Sequence, residues 1–310
     1  MSASFSSALA AALEAAGSQH YPQGALYVVA TPIGNLADIS LRALHVLALA
    51  DRIACEDTRH TQALLRAYGI DKASAQLLAV HQHNEAQAAH TVVELLHSGL
   101  RVAYVSDAGT PGVSDPGARL VAQVRVQGLR VVPLPGASSV TTLLSAAGVA
   151  PDGAGSSGFV FAGFLPTKAT ERAQAVQRLA VQPMATVLLE APHRIEAMAL
   201  ALNVLGARKV TLGRELTKQF EEIATVPAEG LVAWLAQDAN RLRGEFVLVL
   251  HPLEQLAETV QDDRVLKLLL DQLPLKTAVK LAADISGEPR NDLYQRALAL
   301  KATPDAAAVD

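Results

Sequence analysis

Short unbroken apolar runs recur along the first half of the chain, separated by amphipathic stretches. Residues 25–30 (Ala25-Leu26-Tyr27-Val28-Val29-Ala30) are apolar without alternation, rich in β-branched side chains, and bounded by Gly24 and Thr31-Pro32. That is the pattern of a strand buried on both faces. Residues 52–55, 76–80, 100–105 and 129–133 read the same way. Helical periodicity lies between them. One helix carries Leu41, Leu44, Val46 and Leu47 and is capped by Asp38 or Ser40; others cover 61–68, 84–96, 117–126 and 138–147, with Gly69 and Gly99 as stops. Strands and helices alternating in units of roughly thirty residues predict a parallel sheet with right-handed crossovers and helices on both faces.

Residues 151–158, Pro151-Asp152-Gly153-Ala154-Gly155-Ser156-Ser157-Gly158, form the clearest composition break and read as a linker or long loop. Beyond it, strands at 159–162, 185–189, 209–212 and 246–250 and helices at 171–179, 195–205 and 229–238 predict a second α/β half. After His251 the texture becomes helical, with segments at 265–273, 275–285 and 291–300 punctuated by Pro274 and Ser286-Gly287. Their size suits a helix-turn-helix. The expected organisation is an N-terminal extension over 1–22, α/β domains over 23–150 and 151–252, and a small helical domain over 260–303. The extension is rich in Ala and Ser, carries Glu14 and lacks a basic leading region, so it reads as a frayed helix rather than a signal peptide.

Composition narrows the class. Of 310 residues, 50% are hydrophobic and 18% charged, which supplies an ample core and excludes global disorder. Aromatic residues are only 4%, so that core is aliphatic. A formal charge of −4 argues against a broad nucleic-acid-coating surface while leaving room for a local basic patch. In the last two tail segments, Lys276, Lys280, Arg290, Arg296 and Lys301 stand against Asp284, Glu288 and Asp292, a slight excess that suits a solvated surface or RNA contact alike. The single cysteine, Cys55, excludes an intrachain disulfide framework and a thiolate metal site. No apolar run reaches membrane-spanning length, and a cytoplasmic location is expected.

Candidate chemistry gathers at the predicted strand ends. Three loops marked by Gly and Pro follow strands: Thr31-Pro32-Ile33-Gly34-Asn35, the segment from Ser106 to Gly117 that includes Asp107, Gly109, Thr110 and Pro111, and Pro133-Leu134-Pro135-Gly136-Ala137-Ser138-Ser139. Ligands of open parallel sheets bind beyond such ends, where glycines admit close approach and free N–H groups donate. Neither the dinucleotide fingerprint nor the phosphate loop of ATPases is present, which disfavours nicotinamide and ATP chemistry. Glu56-Asp57-Thr58-Arg59 suits ribose hydroxyls or a helix cap equally. His81-Gln82-His83-Asn84-Glu85 lacks a companion carboxylate-histidine pattern, so polar substrate contact or capping by Asn84 is favoured over a metal, and no metal site is expected. In the second half, Glu190-Ala191-Pro192-His193-Arg194, Arg214-Glu215-Leu216-Thr217-Lys218 with Glu221 and Glu222, and Gly244-Glu245 place charge at strand ends facing a cleft. Ser138 has no visible histidine-acid partnership, which disfavours a hydrolase triad.

Taken in order, several of these pieces resemble one family. They are Ala30 to Leu36, Glu56 to Arg59, His83 to Glu85, Ser106 to Gly112 with Ser114 to Gly117, Pro133 to Gly136, Gly163-Phe164-Leu165-Pro166 and Arg214 to Lys218. The chain is similar to the small-subunit ribosomal RNA methyltransferases that 2′-O-methylate a cytidine in the decoding region of 16S rRNA, within the tetrapyrrole-methylase superfamily. The likeness runs from about Gly24 to His251 and resumes in the tail. Ala191 stands where the family often has Ser, the loop 152–157 is unusually rich in Gly and Ser, and residues 1–22 fall outside the match.

The resemblance implies a two-domain class III methyltransferase fold of α/β type, with a parallel N-terminal sheet, a mixed C-terminal sheet and a small helical appendage. It also implies a homodimer that binds S-adenosylmethionine between the domains and acts on 16S rRNA within the small ribosomal subunit. The cofactor is then not held as in a Rossmann methyltransferase, and the acid after the second strand need not hold ribose. Cofactor contacts fall on Thr31, Pro32, Gly34, Asp107, Gly109, Thr110, Pro111, Ser138, Ser139, Glu190, Gly244 and Glu245. Glu56, Asp57, Glu190 and Glu215 are the candidates for accepting the hydroxyl proton, and Asn35, Arg59, His83, Asn84, Arg194, Arg214 and Lys218 for holding RNA. Two rival readings remain at this stage: methylation of a tetrapyrrole, and a non-catalytic ribosome-assembly factor.

Overall fold

The computed structural model describes residues 5–81, 84–115, 117–149, 158–253 and 263–302. Strands β1 (Ala25–Val29), β2 (Arg52–Cys55), β3 (Leu77–Ala79), β4 (Val102–Val105) and β5 (Arg130–Leu134) form an all-parallel sheet in the order β3-β2-β4-β1-β5. The unbroken apolar runs follow from burial on both faces. Tyr27, Val29, Ile53 and Val105 point into one core with Leu44, Leu47, Leu65 and Tyr68. Leu26, Ala54, Val102 and Tyr104 point into another with Val92, Leu96, Leu120 and Val124. The connecting helices are α2 (Leu41–Leu49), α3 (Thr58–Ala67), α4 (Glu85–His97), α5 (Gly117–Val126) and α6 (Ser139–Ala146). Because β4 and β5 flank β1 on opposite sides, the chain reverses direction across the sheet there, and the loops after β1, β4 and β5 converge at the switch point.

The described part of the N-terminal extension is not frayed. It forms α1 (Ser6–Ala16), whose Ala12 and Ala16 are almost fully buried in the first half. Alanines let α1 lie close against its neighbours, Phe5 packs edge-on to Tyr68 with centroids 5.6 Å apart, and the Tyr21 hydroxyl donates to the Ala16 carbonyl at 3.1 Å. The Ala- and Ser-rich pattern resembles a solvated tail because small residues carry little hydrophobic signal even when they sit at a helix contact.

In the second half, β6 (Phe159–Phe164), β7 (Ala185–Glu190), β8 (Lys209–Arg214), β9 (Glu222–Pro227) and β10 (Phe246–Leu250) form a mixed sheet in the order β6-β7-β10-β8-β9. Only β6 and β7 run parallel. Sequence reading missed β9: it is an edge strand with alternating exposure, starting at a glutamate and ending in Pro227, so it lacks the continuous apolar run used to find the others. Helices α7 (Ala169–Ala180), α8 (Ile195–Leu202) and α9 (Leu231–Ala236) pack on one face around Leu188, Leu212, Trp234 and Leu248. The segments expected to be helical over 195–205 and 229–238 are shorter, each adjoining a 3₁₀ turn. The other sheet face, with Ala185, Val187, Val247 and Val249, packs on Val140, Leu143 and Ala147 around α6 and on Ile33. One apolar seam thus fixes the second half against the loops of the first.

The chain divides into two compact units, Met1–Leu253 and Glu254–Asp310. The second contains α10 (Asp263–Gln272), α11 (Leu275–Ser286) and α12 (Arg290–Ala302) around Leu266, Val279, Ala282, Leu293 and Ala297. Gly287, at φ 74°, ends α11 in the left-handed conformation that glycine favours. Arg296 is turned inward to Glu288 at 2.7 Å and Asp263 at 3.5 Å rather than outward. Of the predicted linker over 151–158, residues 151–157 lie outside the described residues. No described helix is long and apolar enough to cross a membrane.

Candidate active site

The wall from the first half is a set of loops tied to one another. Thr31 and Gly109 exchange both backbone hydrogen bonds, at 2.9 and 3.0 Å. The buried Thr31 hydroxyl donates to Ser106 O at 3.1 Å, and the Thr110 hydroxyl to Ala137 O at 3.0 Å. The loops after β1, β4 and β5 are therefore one rigid body. The Gly109 N–H is taken by Thr31, and Gly109 sits at φ +82°, where a side chain would be strained. Thr31, Pro32 and Pro111 are buried. Ser138 precedes α6 without using its hydroxyl as a cap.

Three acids meet at the end of this wall. Glu56, Asp107 and Asp115 line a recess of about 150 Å³ together with Ser106, Ser114 and Ser138. Burial, then the charges of Asp107 and Asp115, push the Glu56 carboxyl above its ordinary value. Asp115 is committed: it accepts from Tyr104 OH at 3.0 Å and from the N–H groups of Gly117 and Gly112 at 2.7 Å each. Asp107 accepts from Asp57 N–H at 3.2 Å. Asp57 is the N-cap of α3, taking the N–H groups of Arg59 at 2.7 Å and His60 at 3.3 Å, and these bonds hold its carboxyl below the ordinary value. Of the two uses read for the Glu56–Arg59 segment, Asp57 takes the cap.

The facing wall comes from the second half. Glu190, at the end of β7, is almost fully buried; its Oε1 accepts from Ala191 N–H at 2.9 Å and forms an ion pair with Arg194 Nε at 3.1 Å. Its Oε2 is buried with no hydrogen-bond partner among the described residues. Arg194 also donates to the Leu165 carbonyl. At the end of β8, Glu215 and Thr217 adopt φ +51° and +67°, at a cost of about 1–2 kcal/mol per residue. Carboxylates hold this turn in place: Glu221 accepts from Thr217 N–H at 2.6 Å, and Glu215 accepts from Lys218 Nζ at 2.8 Å and Glu245 N–H at 3.1 Å. Lys218 also reaches Glu245 Oε2 at 3.2 Å. Burial would raise the Glu215 carboxyl, but the Lys218 ammonium and the Glu245 N–H outweigh it and hold it low. Gly34 abuts this turn: a Cβ there would meet Lys218 Cγ at 2.4 Å. Arg214 is buried, donates to Arg243 O at 3.3 Å and lies 3.6 Å from Glu222, which also pairs with Arg241 at 2.8 Å.

Between the walls lies a cleft of about 340 Å³. Ile33, Leu189, Leu216, Phe246 and Val247 make it apolar, and Glu190, Ser139, Ser114 and Glu245 supply its polar atoms. It shares Ala108, Ser114, Ser139 and Leu189 with the acidic recess, so the two adjoin. Among the residues expected from sequence, Asp107, Gly109, Thr110, Ser138 and Ser139 border the recess, and Glu190, Ser139 and Glu245 border the cleft. Gly244 stands behind Glu215, which a Cβ on Gly244 would strike at 2.4 Å. Asn35 and Arg59 are exposed. Asn84 is held in its own turn, accepting from His81 N–H at 2.8 Å and donating to Ala79 O at 2.9 Å. His83 lies outside the described residues. Sequence reading missed the cleft's apolar lining and Asp115; only the repeated Ser-Asp of Ser106-Asp107 and Ser114-Asp115 pointed to the latter.

A two-sheet chain with its cleft at the switch point of a parallel sheet, closed by a mixed sheet, is the architecture of the tetrapyrrole methylases. The family profile for Tetrapyrrole (Corrin/Porphyrin) Methylases matches residues 25–232, and that of the RsmI C-terminal HTH domain matches 257–301. A uroporphyrin-III C-methyltransferase from Thermus thermophilus, solved in complex with S-adenyl homocysteine, shares the fold at TM-score 0.50 and 16% identity, covering 72% of this chain and 96% of that one. Much nearer in sequence are proteins named ribosomal RNA small subunit methyltransferase I. That of Vibrio cholerae serotype O1 is 47% identical, covering 88% of this chain and 95% of its own, and that of Escherichia coli O157:H7 is 46% identical, covering 89% and 95%. The chain belongs to the ribosomal RNA small subunit methyltransferase I family.

Proposed function

We propose that the chain transfers a methyl group from S-adenosylmethionine to the ribose 2′-hydroxyl of a cytidine in the decoding region of 16S rRNA, within the small ribosomal subunit. The observation that carries this reading is an apolar cleft, lined by a buried glutamate with one carboxylate oxygen unpartnered among the described residues, adjoining a recess that holds an acid of raised pKa. The names of the relatives supply the RNA.

The cleft fits the cofactor. Its volume of about 340 Å³ lies at the low end of small-ligand sites, roughly 300–1,000 Å³, and its walls are largely apolar. Glu190 Oε2 would accept from an ammonium or hydroxyl group, with Ser139 and Glu245 beside it. When bound, the cofactor supplies a methyl group already activated on a sulfonium sulfur. The protein's share is alignment of the acceptor, exclusion of water and acceptance of one proton.

Glu56 is the best placed of the four acids for that proton. Asp57 is used as a cap, Glu215 is pinned and held low by Lys218, and Glu190 faces the cleft while paired with Arg194. A carboxylate raised by burial and by neighbouring charge is a stronger base, and it helps as the hydroxyl proton loosens in the transition state. Exposed Arg59 is available to RNA phosphate, and Asn35, whose Oδ1 accepts from Ala37 N–H at 3.1 Å, has its amide NH₂ for the RNA. Arg194, Arg214 and Lys218 act by shaping the site, since each is engaged with a carboxylate. The reading includes a target nucleotide splayed from the RNA, a homodimer, a cytoplasmic location and domains divided near residues 150 and 252.

Labelled S-adenosylmethionine with 30S subunits, naked 16S rRNA or a porphyrinogen tests it. Label mapping to a cytidine 2′-oxygen in the subunit is the expected result. Label in the porphyrinogen alone, or none in RNA, rejects it.

A further inference from the structure

Gly163-Phe164-Leu165-Pro166 takes no part in the chemistry described above, yet the fold aims one of its side chains into the cleft. On the edge strand β6 the register with β7 shifts between Phe161 and Gly163. Phe161 pairs with Val187, Gly163 with Leu188 and Phe164 with Leu189, which leaves Ala162 as the inserted residue. Without this bulge, the two-residue period of a strand would put Phe164 on the face of Leu188, inside the core of the second half. With it, Phe164 joins Phe161 on the face of Val187 and Leu189, toward the cleft that Leu189 and Phe164 both line. Gly163, at φ +66°, supplies the conformation the bulge requires. The next residue, Leu165, is buried in that core, and its carbonyl is held by Arg194, whose guanidinium also binds Glu190. The backbone beside the ring is thus bolted to the edge of the cofactor cleft.

Exposure tells what the ring awaits. Leu216, Phe246 and Val247 line the same cleft and are at most 5% exposed, whereas Phe164 is 50% exposed. A ligand filling the interior meets the former; a group arriving from solvent meets the latter. Aromatic side chains stack on the faces of unpaired nucleobases. Under the rRNA reading, on which this inference rests, two nucleobases reach the cleft: the adenine of the cofactor and the base of the target. We propose that Phe164 is a substrate-positioning residue on which the base of the methyl-accepting nucleotide stacks, and that the bulge at Ala162 exists to present it.

Phe164→Ala and Phe164→Trp in the full chain are compared by three measurements: calorimetric affinity for S-adenosylhomocysteine, steady-state methyl transfer to 30S subunits, and sedimentation. The expected result for Phe164→Ala is a loss of roughly ten- to a hundredfold in kcat/KM for the RNA. Cofactor affinity should stay within about twofold, sedimentation should not change, and Phe164→Trp should restore most of the rate. Unchanged kcat/KM overturns the inference. So does a loss explained by weakened S-adenosylhomocysteine binding, which assigns the ring to adenine, or a changed oligomeric state, which makes it a contact between copies. If wild-type protein labels RNA and Phe164→Ala matches it, this inference alone falls. If wild-type protein binds S-adenosylhomocysteine yet labels no RNA, the rRNA reading and this inference fall together.

Discussion

Arg194 Nε stands 3.1 Å from Glu190 Oε1, one short turn further along the chain, and leaves the second carboxylate oxygen buried and unpartnered among the described residues. The pair engages one carboxylate oxygen, and in the proposed reading the other is left to the cofactor. Glu190→Gln keeps the shape but removes the charge. We expect S-adenosylhomocysteine affinity to fall at least about tenfold, the loss of one charge-assisted hydrogen bond, with the fold intact. Glu190→Ala should in addition lower the melting temperature, because it leaves Arg194 without its carboxylate. Calorimetry and thermal melts read the two effects apart, and full affinity in Glu190→Gln would remove Glu190 from the cofactor site.

The second prediction concerns pH. Burial and the charges of Asp107 and Asp115 raise the Glu56 carboxyl. As a base it works only when ionised, so the rate should fall as pH drops through its pKa, on a limb lying above the ordinary 4.5. Asp107→Asn removes one of the raising charges while keeping an oxygen for the Asp57 N–H, and it should move that limb to lower pH. Glu56→Gln should abolish the limb and cut kcat by roughly 10²–10⁴ with cofactor affinity unchanged. Wild-type turnover by Glu56→Gln would transfer the role elsewhere.

Which parts of this arrangement the sequence disclosed follows from the kind of signal each carries. The buried strands and the Gly- and Pro-marked loops at their ends announce themselves, since a strand covered on both faces must be apolar throughout and a switch-point loop must turn sharply. Edge strand β9 has no such requirement, and α1 packs through alanines that look like solvated residues. At the site, residue types were legible while their partners were not. Arg214 reads in the sequence as a phosphate ligand, but the fold buries it beside Glu222, and Asp57, a candidate base, caps a helix. Phe164 was hidden for a different reason: a one-residue bulge decides which face it occupies, and the sequence pattern does not mark the bulge apart from Gly163.

The turn holding Glu215 and Thr217 gives a third prediction. Gly244 lies at φ +89°, and a Cβ on it would lie 2.4 Å from Glu215 Cγ and 2.5 Å from its carboxylate. Gly244→Ala combines backbone strain with displacement of Glu215 from Lys218, and should cost about 1–3 kcal/mol of stability. Because the folded state holds the Glu215 carboxyl below its ordinary value, its ion pair stabilises the protein above that value and is lost as pH falls through the lowered one. Urea unfolding at neutral and acid pH should therefore show the Gly244→Ala penalty shrinking on acidification. A penalty independent of pH would mean that backbone strain alone is responsible.

The fourth prediction tests whether α1 belongs to the core. Ala12 is fully buried among residues that include Leu44, Leu47 and Tyr68, and Phe5 packs on the Tyr68 ring. If α1 lay loosely on the surface, a larger apolar residue at position 12 would be tolerated or favourable. In the close helix contact observed, Ala12→Leu overfills the site and should destabilise by about 1–3 kcal/mol. Phe5→Ala should destabilise as well, by up to about 1.5 kcal/mol for the ring pair beyond its buried area. Both variants leave the cleft residues untouched, so cofactor affinity measured well below the melting temperature should match wild type. Equal stability of Ala12→Leu and wild type in urea melts would restore the reading of residues 1–22 as a frayed helix.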